Sequence, residues 1–160
     1  MSTDFDPAVI VTTLADHARR TGRFDAVNGG EPESPPGTGL TAAIWADYLG
    51  PVPPASTLQT TTGLLIMKAR LYRTVQVEPL DALDPEVVSA VYLLMGAYSA
   101  NFSLNIVDSD GLPAAWIDLL GQTRSRLDAQ AGYLKQGDTT YRTMDVTVPI
   151  VLPNLWPQAI

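Results

Sequence analysis

Apolar residues recur at helical spacing in two places, and each time an Asp-Pro pair stands in front. Asp6-Pro7 precedes Val9, Ile10, Val11 and Leu14, while Asp84-Pro85 precedes Val87, Val88, Val91, Leu94, Met95 and Tyr98. Aspartate can cap the free backbone N–H groups that open a helix, and proline fits the first helical position, where its missing donor is not needed. The spacing predicts a first helix from about Pro7 to Thr21, stopped by Gly22 as a C-terminal cap. Val11, Leu14, Ala15 and Ala18 mark its core side, with Asp16, Arg19 and Arg20 on the wet side. A second helix is predicted from Pro85 to about Ala100, striped by Val87, Val91, Leu94, Met95 and Tyr98. Its other side holds Ser89, Tyr92 and Ser99 and carries no formal charge after Glu86, which is dry for a helix facing water.

Elsewhere the pattern alternates. Arg23 to Val27 reads as a short strand, and Leu40 to Leu49 as a longer one. In the latter, Leu40, Ala42, Ile44, Ala46 and Tyr48 share one face, and Thr41, Ala43, Trp45 and Asp47 the other. From Thr57 to Val77 a core face of Leu65, Met67, Ala69 and Leu71 opposes a mixed face of Leu64, Ile66, Lys68, Arg70 and Tyr72. Phe102 to Val107 and Ala114 to Leu120 read as strands joined through Asp108-Ser109-Asp110-Gly111. Gly137-Asp138 marks a hairpin between Tyr133-Leu134 and a final strand from Thr139 to Leu152. There Met144, Val146, Val148 and Ile150 oppose Tyr141, Thr143, Asp145 and Thr147, and Pro149 marks an edge or the end of pairing. Residues 153–160 form a tail, with prolines at 153 and 157.

Two breaks punctuate the strands. Asn28 to Gly39, reading NGGEPESPPGTG, is a long Pro/Gly-rich arm, and Gly50-Pro51-Val52-Pro53-Pro54 is a shorter break. Strand runs between separated helices predict an α+β fold over residues 1–160 as one domain. Its sheet is mainly antiparallel or mixed, with two helices packed on one face.

Composition narrows the function. Ten basic and seventeen acidic residues give a formal charge of −7, and no basic cluster is present to hold a phosphate backbone. The chain has no cysteine, so disulfides, thiolate metal sites and a cysteine nucleophile are excluded, which fits a reducing compartment. The first residues lack a basic region followed by an apolar run, and no apolar stretch is long enough for a membrane span.

Candidate chemistry is thin. Gly37-Thr38-Gly39 begins like a dinucleotide fingerprint but lacks the strand before it and the helix after it. Asp108-Ser109-Asp110-Gly111 begins like a calcium loop but lacks its later ligands and closing glutamate, so it reads as a turn. His17, the only histidine, has Asp16 beside it in sequence, but successive helical residues do not face each other. It reads as an amphipathic side chain at the edge of the first helix. Asp47, Asp118 and Asp145 each fall in an expected strand, and read as parts of solvated faces rather than one acid–base or metal site. Asn101-Phe102-Ser103 matches a glycosylation sequon without a secretory signal. Trp45, Lys68, Arg70, Tyr72 and Trp156, with Tyr48, combine the residue types enriched where proteins meet, and form a candidate interface. No catalytic, cofactor or metal site is expected.

Three segments carry a resemblance. Pro35 to Ser56 reads PPGTGLTAAIWADYLGPVPPAS, Val77 to Leu104 reads VEPLDALDPEVVSAVYLLMGAYSANFSL, and Leu127 to Gln158 reads LDAQAGYLKQGDTTYRTMDVTVPIVLPNLWPQ. Together with the N-terminal helix they resemble the tail terminator proteins of long-tailed bacteriophages, particularly those infecting actinobacteria. The resemblance implies a non-enzymatic α+β subunit that closes into a ring, commonly a hexamer, on the head-proximal end of the tail tube. Such a ring ends tube polymerisation and offers the surface that joins the head. The implied partners are further copies of the chain, the tail tube protein and a connector or stopper protein, with DNA passing through the ring without specific binding. The implied location is the virion tail, assembled in the host cytoplasm. On that reading Asp47 and Asp145 are candidates for the lumen, and Lys68 and Arg70 for subunit contacts. A head–tail connector or stopper, a small-ligand or enzymatic α+β domain, and a non-phage oligomeric binding module stay open as alternatives.

Overall fold

The computed structural model describes residues 6–29, 39–52, 60–75, 83–104, 106–107, 111 and 113–157. Among these described residues two helices and six strands follow one another: α1 (Pro7–Arg20), β1 (Ala26–Asn28), β2 (Thr41–Pro51), β3 (Thr60–Thr74), α2 (Leu83–Ala100), β4 (Trp116–Ile117), β5 (Asp128–Gln136) and β6 (Thr139–Pro157). Most of the Pro/Gly arm, residues 30–38, lies outside the described residues, as do 53–59, the turn residues 108–110 and the last three of the tail.

Asp6 caps α1 as its sequence predicts, its Oδ1 accepting from the Ala8 N–H at 3.0 Å, and Gly22 follows the helix with φ +71°. The second helix starts two residues earlier than predicted, so Asp84 and Pro85 both lie in its first turn. A proline there still removes only a donor that has no partner in the helix.

The sheet runs β1-β2-β3-β6, and β5 and β4 follow one another along the outer edge of β6. Among the described strands only the β1–β2 pairing is parallel, so the sheet is mixed and mainly antiparallel. Both helices cover one face, α1 over β1 and β2, α2 over β3 and β6. Between them and the sheet lie Ile10, Leu14 and Ala18 of α1, Val87, Val91, Leu94 and Tyr98 of α2, Met67, Ala69 and Leu71 of β3, and Val146, Val148 and Ile150 of β6. This single apolar layer is the fold's main driving force.

Four sequence expectations are corrected. Pro149 marks neither an edge nor an end, because β6 stays paired to β3 from Tyr141 to Leu152 and, after a register shift, again at Trp156 and Pro157, within the expected tail. In an antiparallel ladder a residue's N–H and C=O point to the same side. The Pro149 carbonyl accepts from the Asp118 N–H at 2.9 Å, so its missing donor faces the junction between β5 and β4, where none is required.

The alternation in β2 breaks at a bulge between Ala46 and Tyr48, which inserts Asp47. Tyr48 therefore joins the face of Trp45 instead of that of Ile44. Its ring lies over Gly50, where a Cβ would collide with it.

The expected strand from Phe102 to Val107 is a turn over residues 101–104 and a single Val107–Pro113 bridge. Leu104 takes a left-handed φ of 56° and is buried, so its backbone leaves extended geometry to place its side chain in the core. The strand expected from Ala114 to Leu120 shrinks to Trp116–Ile117 for a related reason: Asp118 turns the chain into a loop. The hairpin at Gly137-Asp138 is present, with Gln136 opposite Thr139 and Gly137 at φ +60°.

Candidate functional site

The face of the sheet opposite the helices carries a set of polar interactions centred on β3 and β6. Its rows follow from strand register: Thr41, Tyr72 and Thr143 in one, Ala43, Arg70, Asp145 and Gln130 in the next, and Trp45, Lys68, Thr147 and Asp128 in a third. Arg70 is the centre. Its Nε and Nη2 donate to the two carboxylate oxygens of Asp145 at 2.6 and 2.9 Å, and its guanidinium lies 5.3 Å from the centre of the Trp45 ring. Each side chain of the ion pair is about a quarter exposed, 25% and 26%. The hydrogen bonds to Asp145 hold the Arg70 pKa well above its usual value, despite the opposing effect of burial. Lys68 stands 3.9 Å from Asp47 on the bulge. Two cations thus face three carboxylates, Asp47, Asp145 and Asp128; Arg70 is hydrogen-bonded to one, and Lys68 lies within 4 Å of another.

Two residue groupings expected from the sequence are corrected here. Lys68 and Arg70 do not occupy a different surface from Asp47 and Asp145; one face holds all four, because Arg70–Asp145 are directly opposed in the β3–β6 ladder. Tyr72 is not an open contact residue. It is 1% exposed and packs edge-on against Tyr141, their ring centres 6.1 Å apart, beside Ala43. Trp156 is 39% exposed but pairs at Thr61, nine residues along β3 from Arg70. At strand rise that places it about 30 Å away, so Trp45, Lys68 and Arg70 cluster and Trp156 stands apart.

His17 is not at a helix edge. It is buried, its Nδ1 lies 2.7 Å from the Thr13 carbonyl and its Nε2 lies 2.9 Å from Asn101 Nδ2. Those partners assign the proton to Nδ1, with Nε2 accepting from the amide. Nearby, Tyr98 donates to the Leu14 carbonyl at 3.1 Å, and burial pushes its phenol pKa up. The residue therefore ties α1 to the end of α2, and neither ring nitrogen is left for chemistry.

Asp118 likewise works within the fold. It accepts from the Gln122 N–H at 3.1 Å and from the Thr123 N–H and Oγ1 at 2.7 and 2.6 Å. Burial pushes its carboxyl up, but those hydrogen bonds outweigh it and hold the pKa below the usual value. The loop it organises presents Leu120, 84% exposed, beside Phe102. His17 and Asp118 were both visible in the sequence as polar residues; what was missing was their burial, which no local pattern encodes.

Open grooves mark the surface of the described residues. One, about 600 Å³, runs between α1 and α2 and is lined by His17, Arg20, Thr21, Tyr92, Leu93, Gly96 and Ala97. Another, about 540 Å³, lies between Leu64 and Ile66 of β3 and the Gln122–Ser125 loop. A third, about 340 Å³, lies between Phe102 and Leu120. No three metal-ligand side chains stand together among the described residues. Nor is any described helix long and apolar enough to cross a membrane. No protein-family model matches the chain, and no curated protein matches it.

Proposed function

We propose that the chain is a structural subunit of a long-tailed bacteriophage, a tail terminator that closes into a ring on the head-proximal end of the tail tube. It stops tube growth and offers the surface that joins the head, and it carries out no chemistry. The observation that carries this reading is the sheet face that neither described helix covers, where Arg70 is held by Asp145 and Lys68 lies near Asp47. A channel lined with free cations would retain phosphates. A lining whose cations already face carboxylates lets DNA pass, so this face suits the channel side of such a ring. The three segments that resemble tail terminators point the same way, and β1 and β5 leave unlike sheet edges where neighbours can meet head to tail.

The experiment is a clean deletion in the phage that encodes the chain. Overlong tails, or tails that fail to join heads, are the expected result. Normal tail length together with normal head joining rejects the proposal.

A further inference from the structure

The outer side of α2 has no role in the fold or in the channel reading. Val88 and Tyr92 are 52% and 76% exposed. One turn beyond Tyr92, Gly96 has nothing within 4 Å of where a Cβ would sit. From Val87 to Val107 the sequence has no charged residue, in a chain of formal charge −7. Copies of an acidic chain repel where their charges face each other, so this charge-free helix face is where two of them can approach most closely.

Its shape adds a second constraint. Tyr92 is a knob and Gly96 a notch, four residues apart on one side of the helix, and the notch opens into the groove walled by Arg20 of α1 and by Thr21, which caps it. Knob and notch complement themselves only against a helix running the opposite way. A two-fold axis between the two positions lays Tyr92 of each copy on Gly96 of the other, and Val88 on Ala100. The same operation brings the tyrosine ring beside Arg20, which is exposed and has no ion pair among the described residues. A guanidinium against an aromatic face is attractive.

We propose that two copies of the chain pair back to back about a two-fold axis, with Tyr92 of each seated over Gly96 of the partner subunit in the groove between α1 and α2. The contact lies on the helix side of the sheet, away from the opposite face, and so does not depend on the ring.

Sedimentation of the purified full chain over a concentration series tests it. The expected result is a monomer–dimer equilibrium. Tyr92→Glu should weaken it about tenfold or more without lowering Tm, since the side chain is exposed. Gly96→Leu separates docking from folding: leucine favours helix over glycine, so Tm should hold or rise while the dimer is lost. Because the chain has no cysteine, a Tyr92→Cys/Gly96→Cys double variant should give a covalent dimer on oxidation. A wild type that stays monomeric to millimolar concentration overturns the proposal, as does a dimer indifferent to both Tyr92→Glu and Gly96→Leu. Rings that form on tail tubes from a chain monomeric in solution would overturn this contact and leave the tail-terminator reading standing.

Discussion

The two faces of the sheet solve the same packing problem by different means. On the helix side, Met67, Ala69, Leu71, Val146, Val148 and Ile150 are each no more than 1% exposed and belong to one apolar cluster. On the opposite side, the partly open Arg70, Asp145 and Trp45 are held by ion pairing and stacking, while Tyr72 packs against Tyr141 and both are buried. The first face is a non-directional core worth about 25 cal/mol per Å² of apolar area removed from water. The second is directional and worth far less per contact, but it stays polar and can meet water. A face built that way is free to serve as a surface, and the other is not.

The largest effect should come from a charge on the helix side. Leu94→Asp or Val146→Asp should cost roughly 4 kcal/mol or more, enough to unfold a marginal domain, because the carboxylate would be buried without a partner. Soluble, cooperatively unfolding variants with wild-type Tm would break the contrast between the faces. Asp118→Ala comes next, at about 2 kcal/mol, since it strips the partners from the Gln122 and Thr123 N–H groups. The pH dependence has a defined sign. The folded carboxyl titrates below the unfolded value of about 4, so its stabilisation is complete above that value and is lost as pH falls through the lower folded value. Asp118→Asn should flatten the acid side of a urea-midpoint profile. An unchanged slope would remove Asp118 from the account.

On the opposite face the numbers shrink. Arg70→Ala should cost about 1–2 kcal/mol in urea unfolding, because the pair is bidentate and partly shielded from water, with only modest loss in added salt. Lys68→Ala should change stability by less than about 0.5 kcal/mol, as its 3.9 Å pair with the half-exposed Asp47 is open to screening. If Lys68→Ala cost as much as Arg70→Ala, the face would not be organised around Arg70.

The legible parts of the fold were those written in local periodicity. The core stripe of α2, the two faces of β3 and the hairpin at Gly137 all follow from spacing. The departures come where tertiary contacts overrule the local pattern. Asp47 enters as a bulge and reverses Tyr48, Leu104 accepts a left-handed backbone to reach the core, and Pro149 sits inside the sheet because its missing donor faces a gap. For the candidate site, alternation put Lys68 and Arg70 on one face of β3, but not the β3–β6 register that sets Asp145 across from Arg70. Register depends on a partner strand about 75 residues away, as the Arg70–Asp145 separation itself records.

The central proposal is that the sheet face opposite the helices lines the channel of a ring on the tail tube. Electron cryo-microscopy of the purified chain mixed with tail-tube subunits tests it most directly. The account predicts one ring at one end of each tube, with Arg70 and Asp145 still paired and turned toward the lumen. Tubes without an end ring, or a ring with α2 turned to the lumen and the Arg70 face outward, would contradict it.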